Sequence, residues 1–238
     1  MCVRIDSYES EKHQQWVRRF LNGRFENSVF CVLSPDGDDW VTRASRGPEM
    51  VLGRNATEQI KTIARQYKPK TDTRGAVVQD FHTFRQALNV ASADQRVLVL
   101  ISGPEKSLKG LRESLKPVAN NPKIVGRFHF DFDSSDVWTK AIQGEKGKAG
   151  IVVIRPGEFG MKGEVMAQLP LDASNENLLA ALHKANQTFA ATTEKKVYSQ
   201  HVSKGRQQGI YFEGAVPYGE DRDGDGQIDH GGGRRPRR

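Results

Sequence analysis

The chain has 238 residues, 37% hydrophobic and 27% charged, a length that holds one large domain or two small ones and a composition that excludes a disordered polymer. No apolar run approaches the ~18–20 residues that span a bilayer, so no membrane span is expected. The formal charge is +7, but four arginines stand in the last five residues, and without them the balance is 32 basic to 29 acidic residues. The body is nearly neutral, and the basic end reads as a solvated arm rather than a dedicated phosphate-binding one.

Directly after Met1, "CVRIDSYE" is strand-like. It reads equally as an edge strand at a true N-terminus or as an internal piece of a longer chain, and no signal-peptide pattern follows Met1. Residues 9–21 place Trp16, Val17, Phe20 and Leu21 at helical spacing. "NSVFCVLSPDGDDWVTRAS" predicts two strands joined at Asp36-Gly37, a strong hairpin signal, and "ATEQIKTIARQY" predicts a helix. "KPKTDTRG" reads as a linker.

Beyond the linker, "DFHTFRQALNVASADQ" predicts a helix and "RVLVLIS" a fully buried strand. "SLKGLRESLKPVA" is a helix stopped near Pro117, and "KIVGRFHFDFD" a strand with Phe128, Phe130 and Phe132 on one face and His129, Asp131 and Asp133 on the other. "SSDVWTKAI" is a short capped helix, "AGIVVIRPGEFGMKGEVMAQL" two strands about a Pro-Gly turn, and "SNENLLAALHKANQTF" a capped amphipathic helix. The order is αβαβαββα. Its closing pattern of strand, turn, strand and helix repeats, in outline, that of residues 29–67.

This order resembles the thioredoxin superfamily, over residues 75–190 for a whole unit and 1–67 for a partial one. The resemblance implies an α/β fold, thioredoxin-like, with a central mixed sheet flanked by helices, one complete unit preceded by a partial one; residues 191–238 form a C-terminal extension. In the family the first central strand leads into Trp-Cys-Gly-Pro-Cys-Lys at a helix N-terminus. The matching residues here are Ile101-Ser102-Gly103-Pro104-Glu105-Lys106, which keep Gly, Pro and Lys and lack both sulfurs. Thiol-disulfide exchange needs a thiolate and a resolving thiol. Ser102 has no base beside it in sequence, and Glu105 in a first helical turn offsets the helix dipole. The family's cis-proline position is filled by Ala149 in the whole unit and Ser28 in the partial one, where trans bonds are expected.

The two cysteines, Cys2 and Cys31, are too few for a disulfide framework or a metal site. The resemblance puts them on neighbouring strands, but neither sits at a helix N-terminus or beside a clear cation, and Cys31 reads as a small core residue.

The most specific local motif is "DRDGDGQIDHGG", residues 221–232. Carboxylates at positions 1, 3 and 5, a glycine at 6, an aliphatic at 8 and Asp at 9 follow the EF-hand-like calcium loop, with Asp221, Asp223, Asp225, the carbonyl of Gln227 and Asp229 as ligands. Gly232 stands where an EF-hand has its bidentate Glu, and Gly231–Gly233 with Pro236 exclude an exiting helix. Fewer ligands imply a weak Ca²⁺ site, ~10⁻⁴–10⁻³ M, filled where calcium is abundant, which favours an extracytoplasmic setting, periplasmic or secreted. The alternative is a solvated acidic turn.

Three function classes follow. The first is a redox-inactive, non-catalytic thioredoxin-like protein with a calcium-binding tail, acting in binding or scaffolding with an unknown protein partner. The alternative is a thiol-disulfide oxidoreductase whose cysteine motif lies upstream of the recorded start. The third, a nucleic-acid binder, rests on "RRPRR" and scattered lysines, and its binding would fall steeply with salt.

Overall fold

The computed structural model describes residues 5, 7, 8, 10–26, 29–67, 78, 80–144, 149–210, 216, 219, 221, 224, 225 and 227. The chain divides into two compact units, residues 72–211, and residues 1–71 together with 212–238.

Residues 72–211 are α/β. The strands are β1 (Val97–Ser102), β2 (Phe128–Asp133), a short β3 (Ile142–Gln143), β4 (Gly150–Pro156) and β5 (Gly163–Leu169). They form one mixed sheet in the order β2-β1-β4-β5-β3. β1 is parallel to β2 and antiparallel to β4, β4 and β5 are antiparallel, and β3 is parallel to β5. Six consecutive apolar or small residues make β1 a strand that can be buried on both faces, and all six are buried.

Alternation along the strands feeds two apolar layers. Val97, Val99 and Ile101 of β1, the three phenylalanines of β2, and Ile151 and Val153 of β4 share one core cluster. It is closed by Leu108 and Leu115, by Val118, and by Leu178, Leu182, Ala185 and Phe189. Those residues come from helices α5 (Glu105–Ser114), α6 (Lys116–Ala119) and α8 (Asn175–Thr192) and the α5–α6 junction. The four α8 residues recur at the three- and four-residue intervals of one helix face, and Ser174 caps that helix by accepting from the Asn177 N–H.

On the opposite face, Leu98, Leu100, Val152 and Ile154 pack with Phe84, Ala87, Leu88 and Ala91 of α4 (Phe84–Ala93) and with Trp138 of α7 (Trp138–Ala141). The predicted series of elements is present, with α6 and β3 added. Helix α9 (Tyr198–Gln207) was not anticipated. No side chain caps its start. It docks on the β4–β5 turn instead, where His201 stacks on Phe159 at 4.6 Å. Gly205 leaves room for the same ring, which would sit 3.1 Å from an added Cβ.

The other unit contains α1 (Glu11–Arg19), α2 (Pro48–Leu52) and α3 (Ala56–Arg65). The two strands expected within residues 29–45 are present only as isolated bridges, Phe30 to Ser45 and Leu33 to Trp40. Local side chains take the amides that a ladder would use: Ser34 Oγ accepts from Asp39, Asp36 from Asp38, and Thr42 Oγ1 from Val32. Val41 and Thr42 both donate to the Val32 carbonyl, a bulge-like irregularity. The turn at Gly37, with φ +81°, is the expected one.

Candidate functional site

Two places carry the chemistry that the sequence singled out, the turn between β1 and α5 and the acidic loop near the C-terminus.

At the turn, Ser102 is the last residue of β1, held between Asp133 of β2 and Gly150 of β4. It faces the same layer as Leu98 and Leu100, and its hydroxyl is buried, 2% exposed. Its Oγ accepts the Trp138 indole N–H at 2.9 Å. The indole, itself buried, covers the oxygen on which any nucleophilic role would depend. Gly103 donates its N–H to the Asp133 carbonyl at 3.3 Å. A Cβ on Gly103 would lie 2.9 Å from a Leu171 methyl and 3.9 Å from the Ala149 Cβ. Ala149 therefore faces this turn, and every described peptide bond is trans. Pro104, with ψ 139°, starts α5 without a side-chain cap, and Glu105 stands exposed in the first turn. No described base or thiol joins these residues, and the turn is a packing junction.

Cys31 is half-buried, and burial pushes its thiol pKa up, away from the thiolate that exchange chemistry needs. Cys2 and Ser28 lie outside the described residues.

The acidic loop belongs to the unit of residues 1–71 and 212–238. Of its expected ligands, Asp221, Asp225 and Gln227 are described; Asp223 and Asp229 lie outside the described residues. Asp221 exchanges backbone hydrogen bonds with Phe25 at 2.7 and 2.8 Å, an isolated bridge. Its carboxylate is fully buried and ion-paired with Arg18, whose guanidinium also lies over the Phe25 ring. The other oxygen, Oδ1, accepts the Gly224 N–H at 2.8 Å and bends the loop back, with Gly224 at φ +81°. Asp225 Oδ1 accepts the Gln227 N–H at 2.8 Å. The Tyr8 hydroxyl adds a further tie, donating to the Gly219 carbonyl at 2.8 Å. The structure gives the loop's first carboxylate an arginine as its cation. Among the described residues no three His, Cys, Asp or Glu side chains gather closely enough to hold a metal.

Two features escaped sequence reading. One is a hollow of about 450 Å³ whose walls include Arg155, Lys196, His201 and Lys204. Lys196 donates to the carbonyls of Ser92 and Glu158 there, and burial lowers its pKa. The polar groups of this hollow mostly bind one another and knit residues 192–204 to the sheet. The other is Asp131, 1% exposed on the tryptophan-bearing face of β2. Burial, reinforced by the charges of Asp80 and Asp133, pushes its pKa up to about 8, against the hydrogen bonds from the Phe81 and Phe132 amides. The alternation of β2 put Asp131 on the right face, but nothing local signalled that this face is closed.

Among the described residues no helix is long and apolar enough to cross a membrane. No family model, curated protein or solved structure matches the chain.

Proposed function

We propose that this chain is a redox-silent, thioredoxin-like module that works by binding another protein rather than by catalysis, with a C-terminal loop that takes Ca²⁺ weakly. The strand order β2-β1-β4-β5, with β1 parallel to β2 and antiparallel to β4, supports the fold reading, as does a Gly-Pro turn opening α5 opposite Ala149. The observation that carries redox silence is the Ser102 hydroxyl, buried and occupied by the Trp138 indole where the family keeps its attacking sulfur. Exchange chemistry requires an accessible thiolate, and this position has become part of the core.

For calcium, the supporting feature is oxygen-only chemistry at Asp-x-Asp-x-Asp spacing in a loop already bent at Gly224. Binding requires the Asp221 carboxylate to exchange the Arg18 guanidinium for the metal, which keeps the affinity in the weak, ~10⁻⁴–10⁻³ M range.

The test is insulin reduction with dithiothreitol. The natural chain is expected to add nothing to the thiol background, and the Ser102→Cys, Glu105→Cys double variant is expected to form its 102–105 disulfide without catalysing the reaction, because the Trp138 indole still covers position 102. Catalysis by the natural chain would refute redox silence. A well-folded double variant that does not form its 102–105 disulfide would refute the thioredoxin-like reading of the turn.

A further inference from the structure

Within the described sheet β2 is an edge strand, and edge strands leave backbone amides that need cover. The segment leading into α4 provides it through a reciprocal pair of contacts. Asp80 Oδ1 accepts the Phe132 N–H at 3.3 Å, and Asp131 Oδ1 accepts the Phe81 N–H at 3.0 Å. Each chain segment thus offers one carboxyl oxygen to an amide of the other. Arg112 of α5 holds Asp80 in an ion pair and lies over the Phe132 ring, its guanidinium carbon 4.2 Å from the centroid.

The second oxygen of Asp131 is different. Oδ2 is buried and has no hydrogen-bond partner among the described residues. A neutral carboxylic acid is more tolerable in such a place than a carboxylate, because the buried oxygen is closed to bulk solvent and faces no paired counter-charge. Its charged and titratable surroundings are Asp80 and His82 of the covering segment, Asp133 and His129 of its own strand, Arg112 of α5, and Asp94 at the end of α4. Arg112 is paired with Asp80, and Asp94 binds His129 Nε2 at 3.0 Å. Opposite Asp131 on β1 stands Leu100, which is apolar.

We propose that Asp131 is a proton latch: while its carboxyl keeps the proton, the Asp80–Phe81 segment stays clasped to the edge of β2, and when the proton leaves for solvent the segment lifts and uncovers the Phe132 amide. Ionisation puts a negative charge beside Asp80 and Asp133 in a site that cannot solvate it. The low-cost response is to let water in by detaching Phe81 and Asp80, which are local contacts, rather than to open β1. The raised pKa of Asp131, about 8, places the change just above neutrality.

The experiment is amide exchange on the full-length chain from pH 6 to 10, read at Phe81 and Phe132 and corrected for the hydroxide-catalysed intrinsic rate. Wild-type protection at both amides is expected to fall at least tenfold through a midpoint near pH 8, while β1 amides keep theirs. Asp131→Asn keeps the Oδ1 acceptor and cannot ionise, so its protection should stay level. Asp80→Asn removes one negative neighbour and should move the midpoint down. Level protection in the wild type, or the same fall in Asp131→Asn, overturns the latch. A readout free of any substitution is the wild-type Asp131 carboxyl carbon followed by NMR: a midpoint near 8 supports the latch, and one in the ordinary range of about 4 overturns it.

Discussion

The described residues of 72–211 are held by the ladders of one five-stranded sheet, the β4–β5 ladder shifting register between Val153 and Ile154, and by two apolar layers, whereas those of 1–71 with 212–238 are held by isolated bridges, an ion pair at a buried carboxylate and a few aromatic contacts. None of the residues of α1 or α3 is fully buried, while α4 buries seven of its ten. Apolar burial is non-directional and tolerant, so the larger unit's fold does not depend on any single polar contact. Polar clasps are specific and conditional, so the smaller unit is where a ligand has most leverage on stability.

Substitutions and pH separate the two modes. Leu100→Ala, in the centre of β1, is expected to cost about 2–5 kcal/mol and to lower the urea midpoint of the 72–211 unit. Arg18→Ala deprives the buried Asp221 carboxylate of that guanidinium. The expected cost is about 3 kcal/mol, the low end for a buried pair because Arg18 is 22% exposed, and it should fall on the smaller unit's transition alone.

For Trp138→Phe the indole donor is lost and the buried Ser102 hydroxyl remains, an expected loss of about 1–3 kcal/mol by urea titration. Ser102→Ala combined with Trp138→Phe should recover part of the loss, since both polar ends are then gone. In pH titrations the sign follows from Asp131. Its native pKa, about 8, lies above the unfolded value of 3.8, so between those values the native state keeps a proton that the unfolded chain has released. Stability of the 72–211 unit should therefore fall with rising pH across that window, by up to about 1.4 kcal/mol per pH unit, and level off above it. Asp131→Asn should remove the slope.

The sheet was legible because its strands state their burial in their own composition: "VLVLIS" can only be interior, and the three phenylalanines of β2 mark one core-facing side. The hairpin in residues 29–45 reads in sequence as two full strands, but the Ser34, Asp36 and Thr42 side chains accept from the Asp39, Asp38 and Val32 amides and leave only isolated bridges between them. Helix α9 was illegible because its docking depends on Phe159, some forty residues earlier, rather than on an apolar stripe of its own. At the candidate site, the absence of cysteine at Ser102 and Glu105 was plain in the sequence, but the indole that covers Ser102 was not. Trp138 lies 36 residues on and reaches Ser102 only through the fold. The acidic spacing of the tail was equally plain, while the Arg18–Asp221 pair, across 203 residues, was not.

Hydrogen exchange on the full-length chain, with and without 5 mM Ca²⁺, sets the larger unit directly against the one proposed to take calcium. The expected result is calcium-dependent protection confined to residues around Arg18–Phe25 and the 216–227 loop, lost in an Asp223→Ala, Asp225→Ala variant, with β1 and β4 amides unchanged and slowest to exchange throughout. Identical exchange in both conditions, or protection spread evenly over the sheet, would contradict a tail that takes calcium beside a self-sufficient fold.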